Sequence, residues 1–188
     1  MSALGDDIIR FSRGEEIKNQ ELLALFGTRP EKTEGPPRIA RINRAFKPTA
    51  FAKPYFTYQF DKSFGQRTWY PEHIFTNRQH HAIYHHYRSL VYGMINIGHG
   101  IYSLKDAADV ISGSEGHVGV CSGMGWFAVA CGKPADIWYS TEANTRQVEA
   151  YARWWTLNGA RILYFDRSFK WVDCDIAADG KKYRFFAD

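Results

Sequence analysis

The stretch from His117 to Pro134, HVGVCSGMGWFAVACGKP, decides the fold because it combines a strand, a tight turn and a helix. Residues Val118 to Val120 form an apolar run that is too short for a helix. Ser122-Gly123 follows with a hydroxyl that can cap a helix and a glycine that can adopt a positive φ. The next turns are apolar on every side, which predicts a buried helix, and Gly132-Lys133-Pro134 is a typical helix end.

The turn after this strand has two interpretations. A strand, a Gly/Ser turn and a helix N-terminus aim unpaired backbone N–H groups at one point, which suits a phosphate. The same residues also suit an ordinary connection whose small side chains allow close packing, and one Gly-rich turn does not separate the two interpretations. Under the functional interpretation, the ligand-binding candidates in the turn are Cys121, Ser122, Gly123, Met124 and Gly125.

Length and composition limit the class of protein. The chain has 188 residues, of which 45% are hydrophobic and 16% aromatic, so we expect one α/β domain with appendages. No apolar run approaches the ~20 residues of a membrane span, and the N-terminal residues predict no secretory signal. Three cysteines form no disulfide framework, so we expect free thiols and a cytoplasmic, soluble protein. The net charge of +4 favours anionic ligands without demonstrating nucleic-acid binding.

Strand and helix patterns alternate along the chain. Strands are expected near residues 55–60, 93–97, 117–120, 135–139 and 161–165, which predicts a Rossmann-like domain with a mostly parallel sheet and helices on both faces. With the strand order 2-1-3-4-5, the topological switch point lies between the first and third strands. The turns at 61–67 and 121–125 then meet at the carboxyl edge of the sheet.

The first of these two turns carries cations. Lys62 and Arg67 are predicted to lie opposite the helix start at Ser122, where an arginine can bind a pyrophosphate in bidentate fashion. Arg67 is equally consistent with an ordinary surface charge. Both residues are therefore ligand-binding candidates rather than assigned ligands.

The segments on either side of the domain have different patterns. We assign residues 1–54 to an N-terminal helix and arm, 55–165 to the Rossmann-like domain and 166–188 to a small β-hairpin appendage. Thr28 to Pro54 contains five prolines, and its seven basic residues against two acidic ones give it a charge of +5. This composition predicts an extended arm outside the core, which either binds a polyanion or a protein partner or is a solvated linker.

A histidine cluster lies in the helix expected from Pro71 to about Tyr92. His81 and His85 have the i, i+4 spacing that can place two imidazoles on one helical face. No cysteine pair or HExxH pattern accompanies them, and the interleaved Tyr84, Tyr87 and Leu90 are typical of a core face. We therefore expect no structural zinc and no metal or other cofactor.

The segment from 103 to 140, SLKDAADVISGSEGHVGVCSGMGWFAVACGKPADIWYS, resembles the nucleotide-sugar-binding half of heptosyltransferase-type glycosyltransferases. In that family a helix and a strand lead to a motif of the form GxDSGxxHxA, then to GKP and another strand. Cys121 stands where the family usually has Asp, and Trp126 or Phe127 stands near its usual His. Two shorter matches are Arg67, Trp69 and Pro71 with a KxWP motif, with one residue inserted, and Ser2, Gly5 and Asp6 with an SxxGD turn.

The resemblance implies a metal-independent glycosyltransferase-like enzyme that uses a nucleotide-activated sugar. Ser122 and nearby backbone N–H groups would bind the phosphates, Arg67 would stabilise the departing diphosphate, and Asp6 would be the catalytic base. The alternative is a donor-domain-only binding module that holds a nucleotide, a nucleic acid or a protein and catalyses nothing. Cys121 and the missing His favour the alternative, whereas the retained donor-side framework favours the enzyme, which we prefer. A second copy of the chain is a further candidate partner.

Overall fold

A computed structural model describes residues 3–60, 77–98, 100–140 and 153–165. Five parallel strands form one sheet in the order β2-β1-β3-β4-β5. The strands are β1 Tyr55–Gln59, β2 Gly93–Asn96, β3 Gly116–Val120, β4 Ala135–Ser140 and β5 Arg161–Phe165. The predicted α/β, Rossmann-like class and the predicted strand order are both confirmed.

Helices cover both faces of the sheet. They are α1 Ala3–Ser12, α2 Gln20–Phe26, α3 Asn77–Arg88, α4 Leu104–Ser112, α5 Gly123–Ala130 and α6, described over residues 153–157. Neighbouring residues of a strand point to opposite faces. Phe56 contacts Tyr87 of α3 edge to face at 5.4 Å, whereas the Tyr55 hydroxyl donates to the Val110 carbonyl oxygen of α4 at 2.7 Å. Helix α3 therefore lies on one face and α4 on the other, so the chain changes faces after β2.

Side-chain caps fix where several helices begin. The Ser103 hydroxyl accepts a hydrogen bond from the Asp106 backbone N–H at 3.1 Å, and Ser122 occupies the same position before α5. The Ser122 cap is where the sequence predicts it. Helix α2 begins at Gln20, because Asn19 accepts from the Leu22 N–H at 3.1 Å.

The two N-terminal helices form a second layer outside the sheet domain. Helix α1 packs against α5, and α2 packs against α4. Phe11 of α1 stacks on Phe26 of α2 with ring centroids 4.7 Å apart. Helix α5 thus lies between the sheet and α1, which explains why a helix of eight residues has no polar face.

Residues 28–54 do not form an arm outside the core, and that prediction is wrong. Ile39 and Ile42 are buried in the core, and Phe46 and Phe51 pack against it. The Ile42 N–H donates to the Ala130 carbonyl oxygen at 3.0 Å, and the Ile39 N–H donates to Asn158 Oδ1 at 2.7 Å. This extended segment is therefore held to the ends of α5 and α6 by backbone hydrogen bonds.

The basic residues of the segment explain much of this attachment. Arg38 donates to the Leu157 carbonyl oxygen at 3.2 Å, and Arg41 donates to the carbonyl oxygen of Val129 in the last turn of α5. Cations are stabilised at the C-terminal carbonyls of helices. Arg44 Nη2 lies 2.6 Å from Asp109 Oδ1 of α4 in a largely buried ion pair. Three of the arginines that the sequence offered for binding a polyanion, Arg38, Arg41 and Arg44, therefore have partners inside the fold.

Two further expectations concern the C-terminal segment and membrane-spanning helices. The predicted β-hairpin at 166–188 lies outside the described residues. Among the helices that the structure describes, none has the length and apolar character to cross a bilayer.

Candidate functional site

The candidate site is built around Ser122, at the carboxyl edge of the sheet between β3 and α5. The Ser122 hydroxyl is almost completely buried and donates a 2.6 Å hydrogen bond to Oε1 of Gln59, the last residue of β1. The same oxygen is 3.5 Å from the Gly125 backbone nitrogen, which donates to it. Ser122 thus joins the end of β1 to the start of α5, across the predicted topological switch point.

The first turn of α5 supplies the electrostatics of the site. The backbone N–H groups of Gly123 and Met124 have no intrahelical acceptors because they lie in the first turn. The positive end of the helix dipole adds to them. Cys121 and Met124 are partly exposed, whereas Ser122, Gly123 and Gly125 are buried. A ligand would therefore approach the turn at Cys121 and Met124.

The glycines of this region serve close approach rather than a positive φ. Gly123 is helical, so the positive φ that a glycine allows is not used there. Ser122 makes the entry to the helix with an extended backbone, at φ −151° and ψ 169°. The left-handed glycine is Gly132 beyond the helix end, with a φ of 84°. A Cβ on Gly125 would lie 2.9 Å from Ile137 Cδ1, so close packing explains that glycine without any ligand.

A buried polar pair lies on the same strands. The Thr57 hydroxyl is 3.2 Å from the Gly116 carbonyl oxygen, to which it donates, and 3.2 Å from His117 Nδ1. His117 is 1% exposed, and its Nε2 has no hydrogen-bond partner among the residues that the structure describes. Burial lowers the pKa of His117 to about 3, so the imidazole is neutral at physiological pH.

Sequence reasoning missed three polar residues of this region: Thr57, Gln59 and His117. A signal was present, since Thr57 and Gln59 alternate with aromatic residues in the strand YFTYQF. The ladder register pairs Thr57 with His117 and Gln59 with Gly119, which puts the polar side chains on one face. Gly119 has no room for a side chain, because a Cβ there would be 2.7 Å from the Gln59 carbonyl oxygen and 2.9 Å from His117 Nε2.

The aromatic residues at the position of the family's usual His belong to the core. Trp126 stacks on Trp155 with ring centroids 3.4 Å apart and planes 5° apart, and both side chains are fully buried. Phe127 is fully buried as well. Neither side chain can contact a ligand at the edge of the sheet.

The remaining site candidates are Asp6, Lys62 and Arg67. Asp6 is an exposed residue in the first turn of α1, where its charged neighbours include Asp7 and Arg10 of the same helix. Because α1 begins at Ala3, Asp6 lies inside the helix. Lys62 and Arg67 lie outside the described residues, so their meeting with the turn at 121–125 stays a prediction.

The described cysteines and the potential metal ligands were the last groups to place relative to this site. Cys121 and Cys131 are free cysteines, and burial raises the pKa of the Cys131 thiol to about 12. Within the described ranges no group of three or more His, Cys, Asp or Glu side chains is arranged to hold a metal ion.

Comparisons with known proteins do not assign the chain to a family. No protein-family model matches it, and a search of curated proteins found no matching sequence.

Proposed function

We propose that this protein binds a nucleoside diphosphate or a nucleotide-activated sugar at the carboxyl edge of the sheet between β1 and β3. The observation that carries the proposal is the bridge from Ser122 to Gln59, which places the start of α5 at the switch point of a doubly wound sheet. Ligands of open α/β sheets bind in the crevice at this point. The buried Nε2 of His117 on the adjoining strand supports the proposal as well, because it has no hydrogen-bond partner among the described residues.

The contacts of Ser122 refine which groups would bind the phosphates. A hydroxyl has one proton, and the Ser122 proton is directed to Gln59 Oε1. Phosphate oxygens accept hydrogen bonds, so the backbone N–H groups of Gly123 and Met124 are the better donors. In this account Ser122 positions the turn, and the helix start binds the anion. Arg67 is the proposed cation on the second phosphate.

The proposed reaction is glycosyl transfer from the nucleotide sugar, with the diphosphate as the leaving group. Charge that develops on the diphosphate would be stabilised by the first turn of α5 and by Arg67. Asp6 is the proposed base, which would take the proton of the acceptor hydroxyl as its oxygen forms the new bond to the sugar. A binding module without catalysis is the second candidate, and the buried Trp126 and Phe127 favour it because neither can replace a polar ligand contact.

Titration calorimetry tests the proposal with ADP, GDP and UDP and with their sugar conjugates. Arg67→Ala should weaken the nucleotide that binds by about 10-fold or more, because losing a charge-assisted hydrogen bond costs about 1.5 to 3 kcal/mol. The matched control is Arg29→Ala, since among the described residues the ion pair of Arg29 is an exposed 3.5 Å contact with Glu16. Equal affinities for the two variants would refute the phosphate clamp.

A second measurement separates the two candidate functions. Release of the nucleoside diphosphate from a bound nucleotide sugar, followed over time, supports the transferase. Tight binding of the conjugate without any release of diphosphate supports the binding module.

A further inference from the structure

The exposed side of α3 carries a pair of histidines that the site described above does not use. His81 and His85 are one helical turn apart, both are exposed, and their Nε2 atoms are 3.0 Å apart. The ring centroids are 4.1 Å apart with an interplanar angle of 61°. The two Nε2 atoms therefore lie next to each other on the exposed side of the helix.

The opposite side of α3 is anchored in the core. Ile83 and Tyr87 are buried, and the Tyr87 hydroxyl donates to Asp136 Oδ2 at 2.5 Å. Positions 81 and 85 lie two residues before these anchors, which turns them by about 200° around the helix axis. The helix backbone that carries the histidine pair is thus fixed, while the rings face solvent.

The separation of the two nitrogens matches the bite of a metal chelate. At a metal–nitrogen distance of about 2.1 Å, a 90° angle at the metal separates two ligand nitrogens by about 3.0 Å. Such angles belong to square-planar and octahedral complexes, and imidazole is a preferred ligand of Ni²⁺, Cu²⁺ and Zn²⁺. We propose that His81 and His85 chelate one divalent late transition-metal ion through their Nε2 atoms.

This site differs from the structural zinc site that the sequence argues against. A structural zinc site has four protein ligands. No third His, Cys, Asp or Glu completes the pair within the part of the chain that the structure describes. The ion would keep positions for water or for a donor atom of another molecule, so the proposed site is open and exchangeable.

The histidines also contact each other without a metal. At 3.0 Å, one neutral ring can donate its Nε2–H to the Nε2 of the other. For a metal to bind, the donating ring exchanges this proton with water and takes the Nδ1–H tautomer, so that each neutral imidazole offers its Nε2 lone pair. Chelation therefore needs little movement of either ring.

Titration of the tag-free full chain with NiCl₂, followed by calorimetry, tests the site. We expect one Ni²⁺ per chain, and His81→Ala and His85→Ala should each weaken binding by about 100-fold because a chelate becomes a single contact. Both positions are exposed, so the variants should fold.

A matched control preserves the number of histidines and changes only their spacing. In the double variant His85→Ala/Arg88→His, the histidines are seven residues and about 10 Å apart along the axis, so it should bind as weakly as His85→Ala. The proposal is overturned if Ni²⁺ does not bind, if either single variant keeps the parent affinity, or if the double variant regains it.

Discussion

The imidazole of His117 illustrates what a single buried residue contributes. Its Nδ1 lies 3.2 Å from the Thr57 hydroxyl, and its other nitrogen has no partner among the described residues. Protonation inside the sheet would place a charge where nothing described compensates it. The pKa of about 3 reflects the unfavourable free energy of protonating the buried ring, which applies only to the folded state.

The pH dependence of unfolding should reveal this residue. In the unfolded chain a histidine has a pKa of about 6.5. Because the folded-state pKa is depressed to about 3, the stabilisation is complete above the unfolded value and is lost as pH falls from about 6.5 to 3. The slope attributable to His117 is at most about 1.4 kcal/mol per pH unit. Urea unfolding at pH 7 and pH 5 measures it.

His117→Asn is the comparison for this experiment. Burial also lowers the pKa of His86, which contributes with the same sign, so the difference in slope between parent and variant isolates His117. Equal slopes would count against a neutral buried His117. Should the variant not fold, an NMR titration of the parent imidazole answers the same question, since the ring should stay neutral at pH 5.

At the scale of elements, α5 is held by close contact on two sides. Gly125 faces Ile137 of β4 and Trp155, and a Cβ there would lie 2.9 Å from Ile137 Cδ1 and 3.0 Å from Trp155 Cη2. Ile137 is fully buried, and Trp155 is fixed by stacking on Trp126. Neither neighbour can move aside without disturbing the core.

Gly125→Ala should therefore destabilise the protein by about 1 to 3 kcal/mol, the usual cost of overpacking. Gly93→Ala is the control, because a Cβ at Gly93 would meet its nearest atom at 3.4 Å, an ordinary contact. Chemical denaturation of both variants measures the difference. A Gly125→Ala variant as stable as the parent would show that α5 can move away from the sheet.

Local sequence patterns predict the helices and strands well, because helix caps and strand alternation depend on residues that are close in the sequence. Ser103 and Ser122 are recognisable as helix caps from the residues that follow them. The strands are recognisable because their residues alternate or stay apolar over a short run. The partner of Ser122 is not visible, since Gln59 is 63 residues away. The capacity of Gly123 for a positive φ is not needed, because Ser122 makes the turn with an extended backbone.

At the scale of the whole molecule, the N-terminal 54 residues complete the domain. Ile8 and Leu22 of the outer helices are fully buried, and Arg44 of the extended segment forms an ion pair with Asp109. Asp109 also accepts the Lys47 N–H at 2.8 Å. Proline and charge predict the extended backbone of this segment, but they do not reveal that Ile39 and Ile42 reach the core, because tertiary packing decides that.

Arg44→Ala should destabilise the whole domain by about 3 kcal/mol, because it leaves the Asp109 carboxylate largely buried without its cation. Arg29→Ala removes the same charge from an exposed pair and should change stability by at most about 0.5 kcal/mol. Thermal unfolding of the two variants compares them. Equal and small losses would mean that the segment is not part of the cooperative unit.

We propose that a nucleotide binds at the switch point of the sheet. The amide chemical shifts of the isotope-labelled protein can locate the bound nucleotide. Saturating the protein with the nucleoside diphosphate that binds best should shift the amide signals of Gly123 and Met124 most strongly, with smaller shifts at Gln59. Ser122→Ala should reduce these shifts, since it detaches the turn from β1. Shifts confined to α1, α2 and residues 28–54, with the signals of residues 121–125 unchanged, would contradict the account.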